Sequence, residues 1–182
     1  MKDRGQELVS WIGATLAIAL LVHFATLYAI PRRIMARTLG GMGAPNTMHF
    51  GSRPTAASRG VMRPSPDMLY AACPFDLPAK PLRVTASVPH STYWSISAFD
   101  DATNNFFVRN DRQVTGNSVE LLVMRHGQPL PPLDKVTDRS IVFAPSSRGL
   151  ILMRTVIDNE KNLPVLEAVV RQARCESVAD KR

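Results

Sequence analysis

The chain has 182 residues, 45% of them hydrophobic, and its 22 Lys and Arg residues outnumber its 15 Asp and Glu residues. This length supports one domain with an appendage and excludes the large barrels and two-domain enzymes, which need about 250 residues. A net charge of +7 would suit a nucleic-acid partner or a membrane surface. The position of the charges along the chain decides between these two partners.

One strongly apolar block, residues 11–30, follows a short N-terminal tail over residues 1–10. Its 20 residues carry no formal charge, and a helix of this length spans a hydrocarbon core of roughly 30 Å. Trp11 and Tyr28 lie near its ends, where amphipathic rings favour the headgroup level. We predict a transmembrane helix that remains as a signal anchor, because the apolar run exceeds that of a cleaved signal peptide and no small-residue cleavage site follows it.

Three arginines come directly after this block, and we expect Arg32, Arg33 and Arg37 to meet anionic headgroups. Residues 31–66 are dense in Gly, Pro and Ser and keep no regular period, which predicts a juxtamembrane linker. A short amphipathic turn over residues 34–39 is expected to extend the anchor helix along the interface. Counting nearby positive charges slightly favours a cytoplasmic C-terminal domain, although long domains translocate largely regardless of charge.

The two cysteines, Cys73 and Cys175, both follow the apolar block. If paired, they close a loop of about 100 residues, which the chain-entropy model rates at roughly 4 to 5 kcal/mol. An even pair confined to one domain fits an oxidising compartment such as a periplasm. Two unrelated buried thiols are the alternative. We predict the disulfide and therefore a periplasmic C-terminal domain.

The excess of basic residues is concentrated at the membrane end of the chain. Residues 1–37 hold five of the basic residues and two of the acidic ones, which leaves 17 against 13 and a net charge of +4 for the remainder. The arginines there are scattered singly, and no basic run or zinc-finger spacing occurs. We therefore predict the lipid bilayer as a partner and no nucleic-acid partner.

Residues 67–182 are predicted to form a β-rich domain. Alternating or short apolar runs bounded by turn residues predict strands over residues 82–88, 93–99, 119–124, 140–144 and 149–157. An apolar stripe at helical spacing predicts one closing helix over residues 162–174, which would bring Cys175 beside the sheet. The predicted fold class is mainly β, a β-sandwich or jelly-roll-like domain with a C-terminal helix, preceded by one transmembrane helix.

Several segments of the domain resemble a known bacterial family. The residues DMLY at 67–70 and FDL at 75–77 are similar to the N-x-D-T-L-Y and F-D-L segments of the domain of unknown function 1254. Residues 93–106 resemble its R-Y-Y/W-x-x-x-x-x-D-x-x-T-N-N-F signature, with the D-x-x-T-N-N-F spacing kept in full. Ser65 and Met68 depart from the usual Asn and Thr.

The resemblance implies a β-sandwich-like domain, often exported, with no established reaction. It also implies a bacterial inner-membrane location and a candidate pocket formed by the motif residues Asp67, Tyr70, Tyr93, Trp94, Asp100, Thr103, Asn104 and Asn105. Longer members carry a second β-rich domain, for which this chain has no room. We hypothesise that a separate small chain supplies that domain in a heteromeric complex.

The sequence identifies no catalytic residue, cofactor or metal site. Asp100, Asp101, Asn104 and Asn105 offer oxygens that suit a hard cation, but Asp and Asn are also common at tight turns. No zinc-ligand spacing, nucleophile elbow or phosphate-binding loop is present. We favour the turn interpretation for this cluster.

Two classes of function remain open. The first is a non-enzymatic binding module or complex subunit at the periplasmic face of the membrane. The alternative is a metal-dependent or hydrolytic enzyme with a pocket near Asp67, Tyr70, Asp100 and Asn104.

Overall fold

The computed structural model describes residues 4–55, 57–58, 64–77, 80–131 and 139–178. Within these ranges the chain forms two α-helices and nine strands: α1 Arg4–Gly41, β1 His49–Phe50, β2 Met68–Asp76, β3 Leu82–Ser87, β4 Trp94–Phe99, β5 Asn105–Asn110, β6 Ser118–Met124, β7 Arg139–Phe143, β8 Arg148–Val156, α2 Leu163–Val170 and β9 Arg174–Ser177.

Helix α1 is long and apolar enough to cross a membrane. Its 38 residues correspond to a length of about 57 Å. The helix continues past the predicted end at residue 30, through Pro31 to Gly41, so the first part of the predicted linker over 31–66 is helical. The charge-free run is the stretch that suits hydrocarbon. The helix itself ends at Gly41, the second of two consecutive glycines, and Gly43 follows with a positive φ.

The strands form two sheets, which we call sheet A and sheet B. Sheet A is antiparallel with the order β1-β2-β8-β4-β5, and sheet B has the order β7-β6-β3-β9 with β6 and β7 parallel. With the short helix α2 and the long apolar helix α1, this confirms the predicted mainly β class.

Side-chain alternation explains how the two sheets enclose a core. On β3, Leu82, Val84 and Ala86 are buried while the residues between them are half-buried. On β4, Trp94 and Ile96 belong to the same core cluster. A strand turns every second side chain to the same face, so each sheet contributes one apolar face to the shared interior.

A disulfide joins the two sheets. Cys73 lies on β2 in sheet A and Cys175 on β9 in sheet B, with 6.4 Å between their Cα atoms. The predicted helix over residues 162–174 is too long, because α2 ends at Val170. The chain then turns, and residues of β9 pair with β3, so Cys175 is held on an edge strand rather than at a helix end.

Part of the predicted linker also packs on the domain. His49 and Phe50 pair with Ala72 and Ala71 as the edge of sheet A. The Asn46 amide donates to the backbone oxygen of Asp76 at 2.9 Å and accepts from its backbone N–H at 2.9 Å. The ordered β-domain therefore begins about twenty residues before the predicted boundary at residue 67.

Gly149 provides a test of the packing in sheet A. A Cβ at this position would overlap the carbonyl oxygen of Phe99 and the ring of Phe75. We expect Gly149→Ala to lower the free energy of unfolding by about 1 to 3 kcal/mol, as overpacking typically does. Thermal unfolding of the full chain in detergent measures this.

The matched control is Gly51→Ala, because a Cβ there meets the Tyr70 carbonyl oxygen at an ordinary 3.5 Å. Equal melting temperatures for Gly149→Ala and Gly51→Ala would contradict the close approach of β2, β4 and β8.

Candidate functional site

The family-motif residues lie in two separate groups. Asp67 directly precedes β2, and the Tyr70 hydroxyl accepts a hydrogen bond from the Ser65 backbone at 3.2 Å. Tyr93 is exposed and Trp94 is buried in the core at the start of β4. These residues lie near the C-terminal end of β8, which pairs with both β2 and β4.

The second group lies at the opposite end of the same sheet. Trp94 pairs with Thr155, whereas Phe99, immediately before Asp100, pairs with Leu150. Five residues of strand separate these levels by about 17 Å. The structure therefore does not bring Asp67 and Tyr70 into one pocket with Asp100 and Asn104.

Asp100 organises the turn between β4 and β5. Its Oδ1 accepts from the backbone N–H groups of Ala102 at 2.9 Å and Asn104 at 2.8 Å, and its Oδ2 accepts from the Asn104 amide at 2.9 Å. Thr103 adopts the left-handed conformation with φ of 66°. Asn105 begins β5 and pairs with Phe99 across a bulge. These contacts support the turn interpretation, because the carboxylate lone pairs already face N–H donors.

A metal centre is not evident in the part of the chain that the structure describes. No group of three or more His, Cys, Asp or Glu side chains within it is arranged to hold a metal ion. The two cysteines are joined to each other. The Asp100 turn places Asp101, Ala102 and Asn104 beside α1.

A cleft lies between α1 and one end of sheet A. This cleft has a volume of about 500 Å³, and its walls include Arg32, Met35, Ala36 and Leu39 of α1, together with residues of β2 and β8. A neighbouring open space shares Arg32 with the cleft and is lined by Phe24, Leu27, Tyr28, Pro31, Ala102 and Asn104. Together the two spaces are lined by residues of α1 from Phe24 to Gly40.

Two basic and two acidic side chains line the cleft. Arg148 donates to the Asp76 carboxylate at 3.0 Å, as expected for residues that are directly paired across β2 and β8. The Arg32 guanidinium lies 3.8 Å from the centre of the Tyr28 ring and donates to the Tyr28 carbonyl at 3.0 Å. Asp101 is the second acidic residue of the lining. The lining is thus mainly apolar, with two positive and two negative charges.

Sequence reasoning identified Arg32 but missed most of the cleft. Met35 and Leu39 recur at a spacing of four residues beyond the apolar block, a pattern that indicates one face of a helix. That pattern predicted only a helical extension over residues 34–39. Asp76 and Arg148 were missed because their closeness depends on the pairing of two strands that are distant in sequence.

An ion pair outside the cleft connects the segment before β2 to the turn before α2. Arg53 donates to both Glu160 oxygens, at 2.9 and 2.6 Å, and to the Pro66 carbonyl at 2.7 Å. The Arg53 hydrogen bond lowers the pKa of Glu160, and the pKa of Arg53 is raised in return. Because the folded pKa of Glu160 is depressed, the contribution of the pair to stability is fully present above the ordinary glutamate pKa of 4.5 and is lost as pH falls through the lowered value.

The family model described as "Protein of unknown function (DUF1254)" matches residues 45–177. The chain belongs to this family. The matched range contains all nine strands of the described structure and α2, and it excludes α1. No curated protein matches the sequence.

Two crystal structures resemble the DUF1254 domain. The VPA0106 protein from Vibrio parahaemolyticus matches with a TM-score of 0.62 and 14% identity, over 81% of this chain and 34% of that protein. A putative uncharacterized protein from Burkholderia cenocepacia matches with a TM-score of 0.51 and 16% identity, over 89% of this chain and 43% of that protein. The likeness shows the shared fold, and this chain spans less than half the length of either protein.

The Asp100 turn yields a prediction that separates a structural role from a cation site. We expect Asp100→Ala to lower the free energy of unfolding by about 2 kcal/mol, because the DUF1254 domain loses acceptors for two backbone N–H groups. Asp100→Asn should lower the free energy of unfolding by less, since the amide oxygen still accepts hydrogen bonds from both backbone N–H groups. Chemical denaturation of the full chain in detergent measures the differences.

Asp101→Ala is the matched control, because the described structure shows no hydrogen bond or ion pair to that carboxylate. A wild-type melting temperature that rises on addition of calcium, and fails to rise in Asp100→Ala, would contradict the purely structural role.

Proposed function

We propose that this protein is a single-pass membrane protein whose DUF1254 domain lies outside the cytoplasm and serves as a subunit or binding module. The observation that carries the proposal is the disulfide between Cys73 and Cys175, in a domain attached to an exposed apolar helix. Structural disulfides persist in oxidising compartments, so the bond favours the periplasmic side of a bacterial inner membrane.

The exposure of α1 supports its insertion in a bilayer. None of its most apolar 18-residue window is buried inside the protein, and a helix that is apolar on all sides needs a surrounding of protein or lipid. The charge-free stretch between Glu7 and Arg32 is 24 residues, about 36 Å, which is enough to span with some tilt. Tyr28 and the arginines that follow would then lie at headgroup level.

A role as a subunit is supported by one sheet edge. Edge strand β7 exposes 42% of Ile141 and 46% of Phe143, and exposed apolar edge strands favour pairing with another chain. We propose that a separate small chain covers this edge and supplies a second β-rich domain.

An enzymatic role has weaker support. The pocket proposed for it requires Asp67 and Tyr70 to meet Asp100 and Asn104, and the register of sheet A keeps the two pairs about 17 Å apart. The polar atoms of Asp100 are occupied by the turn.

Membrane orientation is tested with reporter fusions at the C-terminus of the full chain. We expect a phosphatase that is active only in the periplasm to be active, and a fluorescent protein that matures only in the cytoplasm to be dark. The same two reporters fused to the N-terminus are the control and should give the reverse. A silent phosphatase together with a fluorescent C-terminal fusion would overturn the proposed location.

The partner is tested by the mass of the complex extracted from native membranes in mild detergent. We expect the wild type to exceed the protomer mass by one further chain, and the double variant Ile141→Glu, Phe143→Glu to have the protomer mass alone. Val165→Glu on α2, where the side chain is 65% exposed, is the matched control and should keep the partner. A wild-type protomer without a second chain would contradict the proposal.

A further inference from the structure

We propose that the cleft between α1 and the DUF1254 domain binds one phospholipid with a zwitterionic, amine-bearing headgroup that enters sideways from the bilayer. This inference rests on the proposed membrane position of α1. It is carried by the shape of the cleft, its apolar walls and the pattern of its charges.

The cleft adjoins a space that reaches the level of the membrane. Phe24 and Leu27 belong to the apolar block, and they line the open space that shares Arg32 with the cleft. From Tyr28 to Gly40 the helix advances by about 18 Å, and residues along this whole stretch line one or other of the two spaces. A lipid in the leaflet next to the domain therefore has a path along the helix into the cleft.

The walls are suited to an acyl chain. Met35 is the one buried residue of α1, and Ala36 and Leu39 continue the same apolar side of the helix. Pro74 and Phe75 of β2 form the opposite wall. A cleft of about 500 Å³ lies within the range of small-molecule sites.

The charges indicate the headgroup. Arg148 and Asp76 neutralise each other, and among the described residues Arg32 and Asp101 form no ion pair. One guanidinium and one carboxylate of the lining therefore remain without an ion pair, and they complement a phosphate and an ammonium group. A headgroup with negative charge alone would pair with Arg32 but would leave the Asp101 carboxylate beside a like charge.

The experiment uses the full chain in nanodiscs that contain equal parts of phosphatidylethanolamine and phosphatidylglycerol, followed by native mass spectrometry of the released protein. We expect the wild type to retain one phosphatidylethanolamine. Ala36→Trp fills the cleft and should lose the lipid, whereas Ile34→Trp on the exposed side of the same turn should keep it. Gly40→Trp is a second filling variant, at a position where an added Cβ meets no atom within 4 Å.

The headgroup is tested with two pairs of variants. Arg32→Gln should retain about fivefold less lipid, while Arg33→Gln, which does not line the cleft, should match the wild type. Asp101→Asn should shift the bound lipid from phosphatidylethanolamine towards phosphatidylglycerol, and Asp67→Asn at the far end of sheet A should not.

Either of two results would overturn the inference: a wild type that retains no lipid, or filling variants that both retain lipid at the wild-type level. Resistance to extraction from membranes at alkaline pH separates this failure from that of the proposed function. A chain that is extracted contradicts the membrane anchor itself, whereas a resistant chain without retained lipid contradicts only the lipid site.

Discussion

A covalent bond across the sandwich holds β9, a strand of four residues at the edge of sheet B, against β2 in sheet A. The two cysteines are 102 residues apart, so the chain-entropy model assigns the bond about 4 to 5 kcal/mol. Domains of this size are stable by roughly 5 to 15 kcal/mol in total. The bond therefore accounts for a large part of the free energy of unfolding. It lies on the side of the sandwich where α2 contacts β2 and β3.

The same bond supports the cleft. Cys73 is followed along β2 by Pro74, Phe75 and Asp76, which form one wall of the cleft. Asp76 pairs with Arg148 on β8, and β8 in turn positions β4 and the Asp100 turn. Holding β2 in place thus positions the apolar wall, the neutralised charge pair and the turn that faces α1.

Much of this fold was predictable from the sequence, since alternating strands such as β3 and β4 reveal their buried face locally. Strands β1, β2, β5 and β9 were not among the predicted strands. The side chains of β1, β5 and β9 are mostly exposed or half-buried, so their sequences show little apolar alternation. Strand β2 is interrupted by Pro74, a residue that argues against a central strand. The closing helix was predicted too long because an apolar stripe continued into Ala173, which is buried by the turn after α2.

The site was less predictable than the fold. Shared motifs suggested one pocket, yet Tyr70 and Asp100 belong to opposite ends of sheet A because the strands between them run its full length. The arginines after the apolar block were recognised as membrane-facing, but their relation to Asp101 depends on how α1 meets the domain. Local pattern carries no information about such a contact.

The central claim is that a disulfide-bonded sandwich lies outside the cytoplasm on a membrane anchor. Its most direct test is the redox state of both cysteines in intact cells, trapped by acid and alkylated before digestion and mass spectrometry. The account predicts a cross-linked peptide pair that contains Cys73 and Cys175, with no alkylated thiol at either position. Full alkylation of both cysteines would contradict it.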